Sequence, residues 1–110
     1  MKNYVQDGEV LDLVAPYDVA SGGGFLVGSI VAVAQAAAVS GAAVQGVRRG
    51  VFTHAKTSAQ AWTVGAKIYW DDTNKVFTTT ATGNTLCGVA VAAAANPSDE
   101  GTLLLDGAAR

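Results

Sequence analysis

Two side chains in this sequence have the chemistry of a nucleophile or a general base, Cys87 and His54, and there is one of each. A Cys–His pair works when the imidazole takes the thiol proton and a third group orients the ring. Cys87 lies in the apolar run Leu86-Cys87-Gly88-Val89, with no Lys, Arg or His beside it to favour a thiolate. It reads as a small buried hydrophobe. His54, in Phe52-Thr53-His54-Ala55-Lys56, falls at a strand end and reads as an exposed or structural residue. A lone cysteine forms no internal disulfide, and a zinc site needs several Cys or His ligands. No serine sits in a nucleophile elbow. The chain is expected to carry no catalytic residue, metal or cofactor.

Asp71, Asp72 and Asn74 offer the oxygens that hold a hard cation such as calcium. Their spacing is not that of an EF-hand loop. Asp and Asn also make turns by bonding their own backbone, and that reading accounts for all three. Asp99-Glu100 reads as a solvated loop. Gly22-Gly23-Gly24 is not a phosphate cradle, because Phe25 opens a strand after it and no Lys-Ser/Thr follows. Tyr4, Tyr17, Trp62, Tyr69 and Trp70 can stack bases only where Lys and Arg interleave them. Here Arg48-Arg49 is the one adjacent basic pair and the net charge is −2. A nucleic-acid partner is therefore disfavoured, and the aromatics read as core residues or interface anchors.

The elements that position these residues read as strands. Glu9 to Ala15 alternates, with Leu11, Leu13 and Ala15 on one face and Asp12 on the other, and Pro16 ends it. After the Ser21-Gly24 turn, Phe25 to Ala34 reads as one strand, apolar on both faces. Residues 35–43 are Ala-rich and allow one helical turn at most. Val44 to Thr53 reads as a strand in which Gly46 and Gly50 signal bulges or close backbone approach. Lys67-Trp70 and Lys75-Thr78 flank Asp71-Asn74 as a hairpin, with Trp70 facing Lys75 and Ile68 facing Phe77. Leu86 to Ala93 follows, with Cys87, Val89 and Val91 on one face. Gly88, Ala90 and Ala92 make the other, bare enough for another backbone to pack closely. Asn96 to Gly101 is a loop and Thr102 to Leu105 the last strand. The architecture expected is all-β: a small β-barrel or β-sandwich, or a β-tulip-like variant, with short loops.

At 110 residues the chain suits a single domain spanning 1–110. Half of it is hydrophobic, but mostly Ala and Val, with only 7% aromatics. Such a core buries little area per residue, so association with copies of itself or with a larger partner would add stability. Met1-Lys2-Asn3-Tyr4-Val5-Gln6-Asp7 lacks the apolar core of a signal peptide. Val19 to Val47 has no charge and precedes Arg48-Arg49, which mimics a membrane span. Its glycines, serines and glutamines read instead as strands and loops of a soluble protein, with no membrane partner.

Four stretches carry a resemblance. They are Met1 to Gly8; Val14 to Gly24 leading into Leu26-Val27-Gly28; Gln60 to Gly65 running into Lys67 to Asp71; and Thr80 to Thr85 with Gly88-Val89-Ala90. In order and spacing they resemble the small capsid cement (decoration) proteins of tailed phages and prophages. The resemblance implies a non-enzymatic structural virion protein. It would bind the outer surface of an icosahedral head, on the major capsid protein lattice, and stabilise it. It implies a homotrimer on the head exterior, assembled in the host cytoplasm. It also implies a capsid-contact arm in residues 1–8: Lys2, Asn3, Tyr4, Val5 and Gln6, with Tyr4 and Val5 as apolar anchors. An ordinary edge strand is the equal alternative for that segment. The competing class is a small β-barrel module for a small molecule, glycan or protein, marked by a cavity lined by Val31, Val33, Val89 and Val91.

Overall fold

The computed structural model describes residues 9–107. The described residues hold nine strands and no helix; the Ala-rich stretch 35–43 forms bends and turns, with Ala38 bridging Val19, and its last residue, Ala43, opens a strand. Strands β1 (Val10–Val14), β2 (Gly24–Val27), β3 (Ile30–Ala34) and β4 (Ala43–Val47) make a sheet in the order β1-β4-β3-β2. Strands β5 (Arg49–Ala55), β6 (Lys67–Asp71), β7 (Val76–Thr78), β8 (Thr85–Ala90) and β9 (Glu100–Asp106) make a second, in the order β5-β9-β8-β6-β7. All pairings within the two sheets are antiparallel. The all-β expectation holds, in its open two-sheet form. Neither sheet closes into a barrel. The five-stranded sheet curls until its edges meet at one point, where Lys56 bridges Phe77 and Thr57 N–H donates to the Phe77 carbonyl at 3.1 Å.

Two expected strands are each two strands. Phe25 to Ala34 folds back at Gly28-Ser29, where Gly28 has φ +59° and Val27 pairs with Ile30. Positive φ at the first of two loop residues is what a type II′ hairpin needs, and Gly supplies it without steric cost. Because β2 and β3 are both apolar, the turn between them is hidden in one hydrophobic run. Val44 to Thr53 breaks at Arg48, where the chain passes from one sheet to the other. There Arg48 N–H donates to the Glu9 carbonyl at 2.8 Å, and its guanidinium donates to the Gly107 carbonyl.

The hairpin register also differs from the expected one. Trp70 pairs with Phe77 and Asp71 with Val76, so the loop is Asp72 to Lys75. The Asp71 carboxylate accepts Thr73 N–H at 3.0 Å and Asn74 N–H at 3.1 Å, and Lys75 closes the turn in the left-handed region at φ +57°. A non-glycine residue in that region has no reliable sequence signal, which is why the turn shifts by one.

Most of the bulk lies in one core. Trp62, Ile68, Trp70, Phe77, Cys87, Ala90, Leu103 and Leu105 line the inside of the five-stranded sheet, and Val31 and Val33 of β3 enter the same cluster. Trp62 is held there by backbone bonds in both directions with Ala94 and by the buried Lys56, whose ammonium donates to the Thr57 and Gln60 carbonyls. On the other face of the four-stranded sheet, Ala15, Val19, Phe25, Ala32, Ala34 and Val44 form a smaller core of mostly small side chains.

The close backbone approach expected on β8 occurs at Gly88. A methyl group on Gly88 would sit 1.8 Å from the Leu104 carbonyl oxygen, so only glycine fits against that backbone. Cys87 is buried, its thiol donating to the Ile68 carbonyl at 3.4 Å. The face assignment along β8 needs correcting, because the register against β6 shifts between Ile68 and Tyr69. The bulge puts Cys87 and Ala90 in the core and turns half-buried Val89 to the other side, beside Leu104.

Candidate docking surfaces

The sites to compare are the two edges of the four-stranded sheet, because an edge strand presents backbone groups that need partners. In β2, odd residues bond β3, as the donation from Ala34 N–H to the Gly23 carbonyl shows. Gly24 and Leu26 therefore face outward. Gly24 N–H donates to His54 Nε2 at 3.0 Å, and the Leu26 backbone bonds the Tyr17 hydroxyl. The β2 edge is thus capped by two side chains distant in sequence, one from the loop after β1 and one from β5.

Both caps are held in turn. His54 packs edge-on against Phe77 and Trp70, with ring centroids 4.9 and 5.7 Å away, and its Nδ1 lies 3.0 Å from the Ala55 carbonyl oxygen. The Tyr17 hydroxyl donates to Asp72 Oδ1 at 2.8 Å, and the same oxygen accepts Trp70 Nε1–H at 3.0 Å. The Lys75 ammonium sits 3.5 Å from Asp72 Oδ1 and 4.0 Å from the centre of the Tyr17 ring. Burial pushes the Tyr17 hydroxyl well above its usual range, and the bond to Asp72 and that carboxylate's charge push the same way. Partial burial works against ionising Asp72. The bonds from Trp70 and Tyr17 and the Lys75 charge outweigh it and hold the carboxyl below its usual range. Asp71 is also lowered, first by the bond from the Asn74 side chain, at 2.9 Å. These acids act as turn and clamp residues, as the turn reading expects for Asp71 and Asn74. The reach of Asp72 to Tyr17, 55 residues away, has no local sequence signal.

Tyr17, Asp18, Gly24, His54 and Lys75 line an open cleft of about 430 Å³ between the sheets. It is not the cavity expected of a small-molecule module. Val31 and Val33 are packed in the core, and Val89 points away from it.

At the other edge, β1 is bare among the described residues. Arg48 N–H donates to the Glu9 carbonyl and Ala15 N–H to the Ala42 carbonyl at 2.9 Å, so odd residues face β4. The N–H and C=O groups of Val10, Asp12 and Val14 therefore face outward. Val14 is 62% exposed and Asp12 is exposed, its carboxylate 3.4 Å from the Gln45 amide. A further apolar patch lies on the outer face of the five-stranded sheet, where 60%-exposed Val51 stands beside Leu104 and Leu104 beside Val89. The expected arm residues Lys2, Asn3, Tyr4, Val5 and Gln6 lie outside the described residues. Among the described residues no three His, Cys, Asp or Glu side chains gather in a metal-holding group.

Comparison with curated proteins and with solved structures gives no match. Comparison with protein families does. The profile of the phage cement proteins matches residues 5–105, a span that takes in both sheets and all but the last residue of β9. With that coverage, this chain belongs to the phage cement protein family.

Proposed function

We propose that this protein binds the outer surface of an icosahedral phage head and stabilises it against the pressure of packaged DNA. It does so as a homotrimer seated on the major capsid protein lattice, without catalysis. The observation that carries this reading is the family match over residues 5–105. A capsid-associated structural role follows from the family; attachment to the head exterior and stabilisation are the finer steps proposed. Surface chemistry supports them. Val14, Val39, Val51 and Val64 are each at least 60% exposed, spread over both sheets and their loops. Many weak identical contacts on a lattice give firm attachment without a deep site. Residues Lys2, Asn3, Tyr4, Val5 and Gln6, ahead of β1 in the sequence, add a capsid-contact arm.

The test uses heads of the parent phage assembled without this protein. Purified protein is added, and the heads are sedimented and then heated. Saturable co-sedimentation and a higher temperature of DNA release are expected. Heads that take up no protein, or release DNA at an unchanged temperature, would overturn the proposal. Light scattering across a dilution series tests the trimer, whose mass would be three times 11.1 kDa.

A further inference from the structure

We infer that the outer edge of β1 is a strand-docking site for an extended segment of a capsid subunit, one that carries a Lys or Arg between apolar residues. The inference rests on the head-binding reading above. Its basis is the contrast between the two edges. On the β2 edge His54 and Tyr17 take the Gly24 N–H and a Leu26 backbone group, whereas Val10, Asp12 and Val14 send their backbone groups outward with no partner among the described residues. A row of this kind recruits an added strand through main-chain hydrogen bonds, and side chains at alternate positions set the specificity.

Those side chains choose the occupant. Asp12 stands exposed at the centre of the edge, with Val10 and 62%-exposed Val14 two residues to either side. A cation directly opposite Asp12 is favoured, and apolar side chains opposite the valines complete the match. A second copy of β1 is disfavoured, because symmetric antiparallel pairing places Asp12 against Asp12. The cations on this chain's own strands, Arg49 and Lys67, already belong to the five-stranded sheet. Among the described strands no free cation remains to face Asp12, and the head-binding reading makes a capsid subunit the partner.

Amide hydrogen exchange on the full-length protein, free and bound to heads assembled without it, reads the pairing directly. The Val10, Asp12 and Val14 amides should exchange fast in the free protein and slow by about tenfold or more on heads. Two variants accompany it. Asp12→Pro removes one outward N–H without touching the ladder to β4, a place where an edge strand accepts proline. Asp12→Lys reverses the charge and keeps every backbone group. Each should weaken head binding about tenfold while the melting temperature of the free protein stays put. If the wild type binds heads but the β1 amides stay fast, or both variants bind like wild type, the docking edge is wrong and head binding stands. Amides already slow in the free protein would mean that the chain's own N-terminal residues fill the edge as a strand, which also overturns it. A wild type that ignores the heads removes the head-binding reading itself.

Discussion

The two edges of one four-stranded sheet solve the same problem in opposite ways. At β2 a histidine takes the outward Gly24 N–H and a tyrosine a Leu26 backbone group, and both side chains are locked into the junction with the larger sheet. At β1 the outward groups of Val10, Asp12 and Val14 meet no described residue. The lesson is a division of labour. The capped edge contributes to folding and the bare edge contributes to assembly, so damage to each should register in a different assay.

The largest effect is expected at the capped edge. A methyl group on Gly24 would come within 2.7 Å of the Trp70 ring, which is buried and cannot retreat. Gly24→Ala should cost about 1–3 kcal/mol of stability, as overpacking does, and is measured by urea denaturation. His54→Leu removes the acceptor for Gly24 N–H and should cost about 1–3 kcal/mol, with faster exchange at the Gly24 amide. Tyr17→Phe keeps the ring under Lys75 but loses the bonds to Asp72 and Leu26, for about 1 kcal/mol. At the bare edge, Asp12→Lys should change stability by less than about 0.5 kcal/mol, as exposed substitutions do. A cost there as large as at Gly24 would break the comparison.

The clamp also predicts a pH window. Asp72 and Asp71 titrate lower in the folded chain than in the unfolded one. Their contribution is present above about pH 4, the ordinary carboxylate value, and is lost as pH falls through the depressed folded values. Tyr17 titrates higher when folded, so its contribution is present below about pH 10 and is lost as pH rises beyond it. Melting temperature against pH should therefore fall at both ends, and Tyr17→Phe should remove the alkaline fall attributable to this residue.

Much of the fold is legible in local sequence because local chemistry decides it. Alternation marks β1, and Pro16 ends it. The Asp71 and Asn74 side chains build their own turn, and the bulk-free β8 face announces the close approach at Gly88. What is not legible depends on partners far along the chain. Gly28-Ser29 turns inside an unbroken apolar run, Lys75 takes a left-handed conformation that its type does not advertise, and Arg48 marks a change of sheet through contacts such as those to the distant Glu9 and Gly107. The caps are the extreme case, since Tyr17 and His54 matter only because folding brings them to β2. The proposed contact arm, Lys2 to Gln6, lies outside the described residues.

The measurement that bears most directly on the account is residue-resolved amide exchange at the two edges of the free protein. The account predicts slow exchange at Gly24 and Leu26 and fast exchange at Val10, Asp12 and Val14. Equal protection at both edges would contradict it, because β1 would then have no edge left to offer the head.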